Sequence, residues 1–330
     1  NLSNSTGWQL SKARHELRNM KDDWEKPLMT CLYRPFDERS CYFNRVAMDR
    51  PRSVLLEHVA GKENLCLLVS RQTAIIGWQH VFVSAFIAER MSISLTGREG
   101  IINIPLYVYK KGFMSNEVIK STNFDESYHN EISSHLGLKW TGLEKPKDDK
   151  SFSARNLFSY IYAILHSDSY RTKYAKKLSN DFPRIPLLSN PDLFFELIEF
   201  GQNLIDIHLV ESPNCNNHIT FPLGSGNFQV EKISYSDETV WINKAKTQGF
   251  QGVPEAVWNF HIGGYQVCEK WLKERQAKGG KNPRPGRVLS DEDINHYQKI
   301  IVALSETIRI MGEIDEVIEE HGGWPDAFIK

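Results

Sequence analysis

Basic and amide side chains are concentrated between residues 45 and 111, and their chemistry suits contact with nucleic acid. Arg and Lys bond phosphate oxygens, and Arg, Lys, Asn and Gln are the usual readers of base edges in the major groove. The candidate contacts are Arg45, Arg50, Arg52, Arg71, Gln72, Arg98, Lys110 and Lys111. The alternative for each is a solvated surface charge, because most exposed basic residues contact nothing. The formal net charge is -1, but bases outnumber acids from Arg34 to Lys111, and acids dominate the last thirty residues or so.

Motifs for catalysis are missing. The sequence contains no Gly-x-x-x-x-Gly-Lys-Ser/Thr loop for phosphates and no His-Glu-x-x-His pair for zinc. Gly224-Ser225-Gly226 lacks the spacing of a nucleophile elbow. Glu63, Glu117 and Glu126 lack partners in a nuclease-like Asp…Glu-x-Lys pattern, and the histidines are isolated. We therefore expect no catalytic residue, metal or cofactor in this chain.

Composition indicates a globular protein of a reducing compartment. Of the 330 residues, 41% are hydrophobic and 25% are charged, as is usual for globular domains. No apolar run approaches the ~20 residues that span a bilayer, so no membrane contact is expected. Five scattered cysteines without a Cys-x-x-Cys pair argue against disulfides and for the cytoplasm. Because the chain begins with Asn1 and has no signal-peptide pattern, we expect a fragment of a longer protein.

Short apolar segments separated by turn signals predict a curved, β-rich lobe in the first half of the chain. The predicted strands or short core elements are residues 53–58, 64–71, 72–85, 90–96 and 101–109. Residues 90–96 alternate apolar and polar side chains, which is typical of a half-buried strand. Pro105 lies at an edge or a kink. Residues 110–151 are polar and show little pattern, which predicts a long loop or an insertion.

From residue 153 the hydrophobic period becomes helical. The predicted helices are residues 154–166, 169–178, 192–210 and 291–321, and a small hairpin is predicted from residues 228–233 and 240–243. Two prolines within residues 181–186 must end a helix. Ser290 suits the N-cap of the last helix, with Asp293 three residues on as in a capping box.

An aromatic segment from Gly252 to Arg275 precedes the last helix. Trp258, Phe260 and Trp271 lie close together in it, and such aromatic density predicts docking on a core. Gly263-Gly264 permits a tight turn.

This segment and the last helix resemble a known family. The runs WNFHIGGYQVCEKWLKER and LSDEDINHYQKIIVALSETIRIMGEID are similar to the C-terminal end of type ISP restriction-modification enzymes. These are bacterial single chains that join a nuclease, a DNA translocase, an adenine-N6 methyltransferase and a target recognition domain. The resemblance extends to IPLYVY at residues 104–109 and to Tyr33-Arg34-Pro35-Phe36-Asp37, with Arg39 and Tyr42. For this last motif, the alternative is a surface turn with a buried Phe and a local Arg–Asp pair.

The resemblance implies a DNA target recognition module without its catalytic domains. Adenine-N6 methyltransferases hold the extruded base with an Asn/Asp-Pro-Pro-Tyr/Phe loop, and this sequence has no Pro-Pro dipeptide. The chain would bind double-stranded DNA and position the target adenine for the upstream methyltransferase domain of the same polypeptide. S-adenosylmethionine, ATP and Mg²⁺ are expected for the parent enzyme.

The expected fold class is α+β, with a β-rich recognition lobe followed by a helical support region that contains a small β insertion. The expected divisions are a tail of the methyltransferase or linker at residues 1–30, the recognition lobe at 31–150 and the support at 151–330. Two other functions stay open. One is an independent nuclease or methyltransferase fragment, and the other is a protein-docking scaffold that uses the acidic last helix.

Overall fold

The computed structural model describes residues 4, 8–20, 24–48, 52–73, 77–112, 117–280 and 283–329, apart from the side chain of Arg98. Over these residues the chain has the predicted α+β fold. Its helices are α1 (Leu10–Arg18), α2 (Ser53–Leu56), α3 (Glu126–Leu136), α4 (Ala154–His166), α5 (Asp168–Lys173), α6 (Ala175–Leu178), α7 (Pro191–His208), α8 (Glu255–Trp258), α9 (Val267–Lys273) and α10 (Asp291–Glu320). Its strands are β1 (Leu28–Arg34), β2 (Asp37–Tyr42), β3 (Cys66–Val69), β4 (Val81–Ser84), β5 (Ile87–Ala88), β6 (Ile102–Pro105), β7 (Tyr107–Lys111), β8 (Val118–Thr122), β9 (Lys139–Trp140), β10 (Ser151–Phe152), β11 (Phe221–Leu223), β12 (Ser234–Ser236), β13 (Thr239–Trp241), β14 (Gly249–Gln251), β15 (His261–Ile262) and β16 (Tyr265–Gln266).

The strands form several small sheets. β3 lies between β4 and β6 with antiparallel pairing on both sides, and all of its side chains are buried. β1 pairs antiparallel with β2 and parallel with β5, and β7 and β8 form a separate hairpin. The order β11-β14-β13-β12 makes an antiparallel sheet in the second half of the chain. Parallel β9–β10 and antiparallel β15–β16 are pairs of very short strands.

Three long helices form the support. α4 and α7 pack along each other, and α10 packs against both. At the α4–α7 crossing, a Cβ atom added to Gly201 would stand 1.9 Å from the carbonyl oxygen of Ser159. Only a residue without a side chain therefore permits this close approach of the two helices. One hydrophobic core extends from Leu32 to Phe328, and the division at residues 30 and 150 stays a prediction.

The long helices lie where the hydrophobic period predicts them. α4, α7 and α10 correspond to the predicted segments 154–166, 192–210 and 291–321. Ser290 and Asp293 form the predicted reciprocal capping box at the start of α10. The predicted helix at 169–178 is two short helices instead, because the chain turns at Tyr174 between α5 and α6.

The predicted long loop at residues 110–151 is wrong, because this segment contains β8, α3 and β9. The Asp125 carboxylate caps α3 by accepting a hydrogen bond from the Ser127 N–H, and Gly137 ends the helix with a φ of 66°. Ile132 and Leu136 are the buried residues of α3. Tyr128 also packs on the core, so residues 128, 132 and 136 recur every four residues, and together with the caps they are local signals of this helix.

The predicted strand at residues 90–96 is also wrong. The backbone N–H groups of Ser92 and Ser94 bond the carbonyl groups of Glu89 and Met91, which makes turns. Ser92, Ile93 and Ser94 are all fully buried. The alternation of apolar and polar residues therefore does not mark one buried face and one exposed face.

Other strands are displaced from their predicted positions. Residues 53–58 contain helix α2, and the apolar segment 101–109 is divided after Pro105 into β6 and β7, which belong to different sheets. The predicted hairpin begins at Ser234 rather than at residue 228. Val230 instead makes backbone hydrogen bonds with Arg287 and Ala277, and these contacts are too distant in sequence to be anticipated.

Buried charges anchor the β1–β2 turn to the helical support. Asp37 is 2% exposed and accepts hydrogen bonds from Arg39 Nη2 at 2.6 Å and from Arg275 Nη2 at 3.2 Å. Arg275 also lies 3.8 Å from the carboxylate of Asp293 in the first turn of α10. Phe36 is buried and Arg39 pairs with Asp37, as in the alternative interpretation of this motif as a turn with a local ion pair. Asp37 also pairs with Arg275, which is distant in sequence.

The aromatic segment packs on the core, as predicted. Trp271 is 2% exposed, and its ring centre lies 5.4 Å from that of Tyr297 in α10. The Tyr265 hydroxyl donates to the carbonyl of Ser94 at 2.9 Å. Among the described residues, no helix is both long enough and apolar enough to span a membrane.

Candidate nucleic-acid interface

The β7–β8 hairpin places tyrosines and lysines on one face. Successive side chains in a strand point to opposite faces, and directly opposed residues share a face. The pairs on this face are Tyr107 with Thr122, Tyr109 with Lys120, and Lys111 with Val118. Aromatic rings and ammonium groups therefore lie next to one another on a half-exposed surface.

Two lysines lie over the tyrosine rings. Lys120 Nζ is 4.1 Å from the ring centre of Tyr107, and Lys62 Nζ is 5.1 Å from that of Tyr109. Both distances are within the range of a cation–π interaction. Lys120 Nζ also lies 3.4 Å from the carboxylate of Glu63, which is exposed to solvent. The rings hold these cations at fixed places on the surface.

Arg45 continues this surface toward α2. Its guanidinium pairs with the carboxylate of Glu57, and both side chains are largely exposed. The hydrogen bond from Arg45 lowers the pKa of Glu57. Lys62 Nζ donates to the backbone carbonyl of Glu57 at 2.6 Å, which connects Arg45 to the hairpin.

Lys110 and Lys111 end β7, and both are exposed. They lie opposite Ile119 and Val118, which are 54% and 50% exposed. No ion pair joins either lysine to another residue in the described part of the chain. We use the term hairpin surface for Arg45, Lys62, Tyr107, Tyr109, Lys111 and Lys120, together with Lys110, which lies on the other face at the same end of β7.

Arg52 lies on the other side of α2, beside a cleft of about 410 Å³. It has a left-handed backbone conformation with a φ of 47°, immediately before the helix. Arg90, Glu89 and Asn103 line the same cleft. Arg52 is therefore close to Arg45 in sequence, but it lines this cleft and is not part of the hairpin surface.

Arg71 and Gln72 are exposed at the opposite end of β3 from the hairpin. The end of β3 near Asn64 contacts the hairpin, because Asn64 Nδ2 donates to the carbonyl of Tyr107 at 2.8 Å. Extended chain rises about 3.3 Å per residue, so Arg71 lies roughly 20 Å from that end. There Arg71 Nε is 3.4 Å from the carboxylate of Asp181. The structure thus separates Arg71 and Gln72 from Lys110 and Lys111.

Two other predicted contacts have little or no structural description. Arg50 lies outside the described residues. Arg98 lies in a short 3-10 turn, Gly97–Glu99, and its side chain also falls outside the description. Neither can be assigned to the hairpin surface or to the end of β3, and both stay predictions.

Sequence reasoning missed Lys62, Tyr107, Tyr109 and Lys120 as members of this surface. The segment YVYKK at residues 107–111 did contain a signal, because its Tyr-x-Tyr-x-Lys spacing puts all three side chains on one face of a strand. Lys120 joins this face through its pairing with Tyr109 in the hairpin, and Lys62 reaches the Tyr109 ring from the connection between α2 and β3.

The buried histidines are part of the core. His208 Nδ1 is 2.6 Å from the hydroxyl of Tyr162, and its Nε2 is 2.9 Å from Oγ1 of Thr307. Burial lowers the pKa of His208 to about 3, and it also lowers the pKa values of His166 and His80. No group of the described residues could hold a metal ion.

The described residues thus form an α+β fold in which small sheets carry a basic and aromatic surface and three long helices pack together. The sequence matches the family described as the Type ISP C-terminal specificity domain over residues 1–313, and the chain belongs to that family.

Three solved structures that share the fold are complexes with DNA or a DNA substrate mimic. The ATP-dependent Type ISP restriction-modification enzyme LlaBIII bound to DNA has a TM-score of 0.70 and 20% identity, over 93% of this chain and 20% of that chain. A nuclease-deletion mutant of the Type ISP restriction-modification enzyme LlaGI in complex with a DNA substrate mimic has a TM-score of 0.62 and 21% identity, over 87% of this chain and 20% of that chain. A DrdV–DNA complex has a TM-score of 0.68 and 20% identity, over 88% of this chain and 28% of that chain.

The chain spans about a fifth of the length of the LlaBIII and LlaGI chains. At these identities, the likeness shows a common fold. No curated protein matches the chain.

Proposed function

We propose that this chain is the specificity module of a restriction-modification enzyme and that it recognises a short sequence in double-stranded DNA. Membership of a specificity-domain family carries the proposal. Two observations support it: the three solved structures that share the fold contain DNA or a DNA substrate mimic, and the hairpin surface offers cations beside aromatic rings.

The hairpin surface would hold the phosphate backbone. Phosphate contacts come from Lys and Arg and fix the register of a protein on the duplex. Lys110 and Lys111 are exposed at the end of β7. The Arg45–Glu57 pair is exposed, so it contributes little to stability and could be exchanged for a phosphate contact.

Arg71 and Gln72 would read bases at the other end of β3. Arg pairs with two acceptors of guanine, and Gln pairs with adenine in the same bidentate way. The distance of roughly 20 Å from the hairpin corresponds to about six base pairs at 3.4 Å per pair. One duplex could therefore contact both ends of the β4-β3-β6 sheet.

The parent enzyme would supply the chemistry. We propose that an upstream methyltransferase domain of the same polypeptide transfers the methyl group from S-adenosylmethionine to the adenine N6. The specificity module would position that adenine by fixing the register of the duplex. ATP and Mg²⁺ would serve the motor and nuclease of the parent enzyme.

The direct test is selection from a random duplex library with this chain, at low and at physiological salt. We expect one short motif to be enriched at both salt concentrations. Replacing Lys110 and Lys111 by Ala should weaken binding of every sequence and reduce the slope of log affinity against log salt by about 1.8, or about 0.9 for each phosphate contact. The matched control replaces Lys145 and Lys147, which are exposed between β9 and β10, and should change the affinity by less than about twofold.

Two results would contradict the proposal in different ways. Salt-sensitive binding without an enriched motif would mean a phosphate clamp whose specificity requires the methyltransferase. Absence of binding at both salt concentrations would favour the protein-docking scaffold.

A further inference from the structure

A second cleft lies beside the end of β3, away from the hairpin surface. It has a volume of about 720 Å³ and is formed by α5, α6, the segment 180–186 that follows them, and Trp324 near the end of the described chain. Ligand pockets commonly have volumes of roughly 300–1,000 Å³. The cleft is therefore large enough for a nucleotide.

Aromatic rings form one side of this cleft. The ring centres of Tyr170 and Tyr174 are 5.2 Å apart, and they lie 5.3 and 5.9 Å from that of Trp324. The Tyr170 hydroxyl donates to the carbonyl of Arg184 at 2.8 Å, which ties this side to the opposite side of the cleft. Phe182 is 37% exposed at the rim. These rings provide flat apolar surface that partly faces solvent.

Cations surround the rings. Lys176, Lys177 and Arg184 line the cleft, and all three are exposed. No ion pair links any of them to another described residue. Asp181 is the acidic residue of the lining, and it already pairs with Arg71. The cleft therefore presents uncompensated positive charge next to aromatic rings.

Aromatic rings next to these cations favour binding of a nucleotide whose base is not stacked in a duplex. Proteins that bind single strands combine a basic groove along the backbone with aromatic side chains on which bases stack. In a duplex, the faces of the bases are covered by their neighbours, so only an unpaired strand offers both a ring and a phosphate. An acidic peptide would satisfy the lysines but would not use the rings.

We propose that this cleft binds unpaired nucleotides of a DNA strand, with a base against Phe182 and Tyr174 and phosphates at Lys176, Lys177 and Arg184. The proposal rests on the proposed function only in taking DNA as the partner. The backbone N–H of Thr73 bonds the carbonyl of Ser179 at 3.1 Å, and Arg71 pairs with Asp181. The segment that would read the duplex is thus joined to the rim of the cleft, and a strand that leaves the duplex there could enter it.

The test measures binding of a fluorescent oligothymidylate of about twelve nucleotides by anisotropy at low salt, in parallel with the duplex selection. Phe182→Ala removes a stacking ring and should weaken oligothymidylate binding about tenfold. Replacing Lys176 and Lys177 by Ala should weaken it about tenfold and lower its salt dependence. Both changes are at exposed residues, so folding should persist, and melting curves of the variants check this.

The control variant replaces Lys145 and Lys147 by Ala and removes the same charge elsewhere. Binding that the cleft variants weaken and this control does not would support the proposal, whether or not the duplex selection yields a motif. Failure to bind oligothymidylate, or equal losses in the cleft and control variants, would overturn it. Loss through Lys110→Ala and Lys111→Ala alone would assign single strands to the hairpin surface and would also overturn it.

Discussion

The helical support and the strand region of this molecule are held together differently. In the support, α4 and α7 contact along most of their length, and α10 buries a long stripe that includes Tyr297, Ile301 and Leu304. In the strand region, the sheets are small, and the β7–β8 hairpin has no fully buried side chain at its described positions. The hairpin therefore contributes less to stability than the support does.

This difference fits a division between folding and recognition. A substitution in a closely packed helix crossing disturbs many neighbours. A substitution on a half-exposed hairpin changes contacts with solvent and with a partner, and surface changes usually alter stability by less than about 0.5 kcal/mol. Residues that contact DNA could thus vary without loss of the fold.

The largest effect is expected at the α4–α7 crossing. Gly201→Ala would place a methyl group against the backbone carbonyl of Ser159, so the helices must separate, and we expect a loss of about 3 kcal/mol or more. Gly312→Ala is the matched control, because this helical glycine is exposed and an added Cβ atom would meet nothing within 4 Å. Because alanine has a higher helix propensity than glycine, Gly312→Ala should raise the free energy of unfolding by up to about 1 kcal/mol. Urea unfolding measures the free energy of unfolding of both variants. Equal changes in this free energy would argue against a tight helix crossing.

A smaller loss is expected from the buried ion pair that joins the two regions. Asp37→Ala leaves Arg275 buried with Asp293 at 3.8 Å as its remaining carboxylate, and we expect a loss of about 2–3 kcal/mol. Asp181→Ala breaks an exposed pair with Arg71 and should cost less than about 1 kcal/mol. Thermal unfolding of the two variants compares them. A loss from Asp181→Ala as large as that from Asp37→Ala would show that burial does not control these pairs.

The support should also respond to acid. The pKa of buried His208 is lowered to about 3, whereas in the unfolded chain it is about 6.5. The unfolded state therefore binds more protons below pH 6.5, and stability falls as the pH falls. From pH 7.5 to 5.5, His208 should account for a loss of about 1.4 kcal/mol.

Urea unfolding of His208→Gln across this pH range should show a shallower decline than the original chain. His261→Gln is the control, since this histidine is exposed on β15, and it should leave the decline unchanged. An identical pH dependence in all three proteins would mean that His208 is not kept neutral by burial.

The sequence predicts the support better than the strand region, and the reason is physical. A helix such as α10 is defined by contacts three and four residues apart and by the Ser290–Asp293 cap, all of which are local. β3 is defined by its pairing with β4 and β6, and nothing within residues 66–69 specifies those partners. The failure at residues 90–96 has the same cause, since polar Ser92 and Ser94 are buried by tertiary contacts.

The candidate interface was predictable only in part. Lys110 and Lys111 come directly after an apolar segment in the sequence, and both are exposed at the end of β7. Lys120 joins them through strand pairing and Lys62 through the connection between α2 and β3, and the pairing of Arg71 with Asp181 links residues far apart in sequence. Basic composition selects residues 45–111 but does not divide them between two ends of a sheet.

The smallest effect on stability, and the clearest functional contrast, is expected from Arg45→Ala and Arg71→Ala. Both side chains are exposed, so each change should alter stability by less than about 0.5 kcal/mol. Arg45 is a proposed phosphate contact, so Arg45→Ala should weaken all duplexes alike, with the salt slope lowered by about 0.9. Arg71 is a proposed base contact, so Arg71→Ala should relax the selected motif at one position by about 1–3 kcal/mol of discrimination. If both variants weakened binding without changing the motif, Arg71 would be a phosphate contact, and base reading would have to be sought in the cleft beside Arg52.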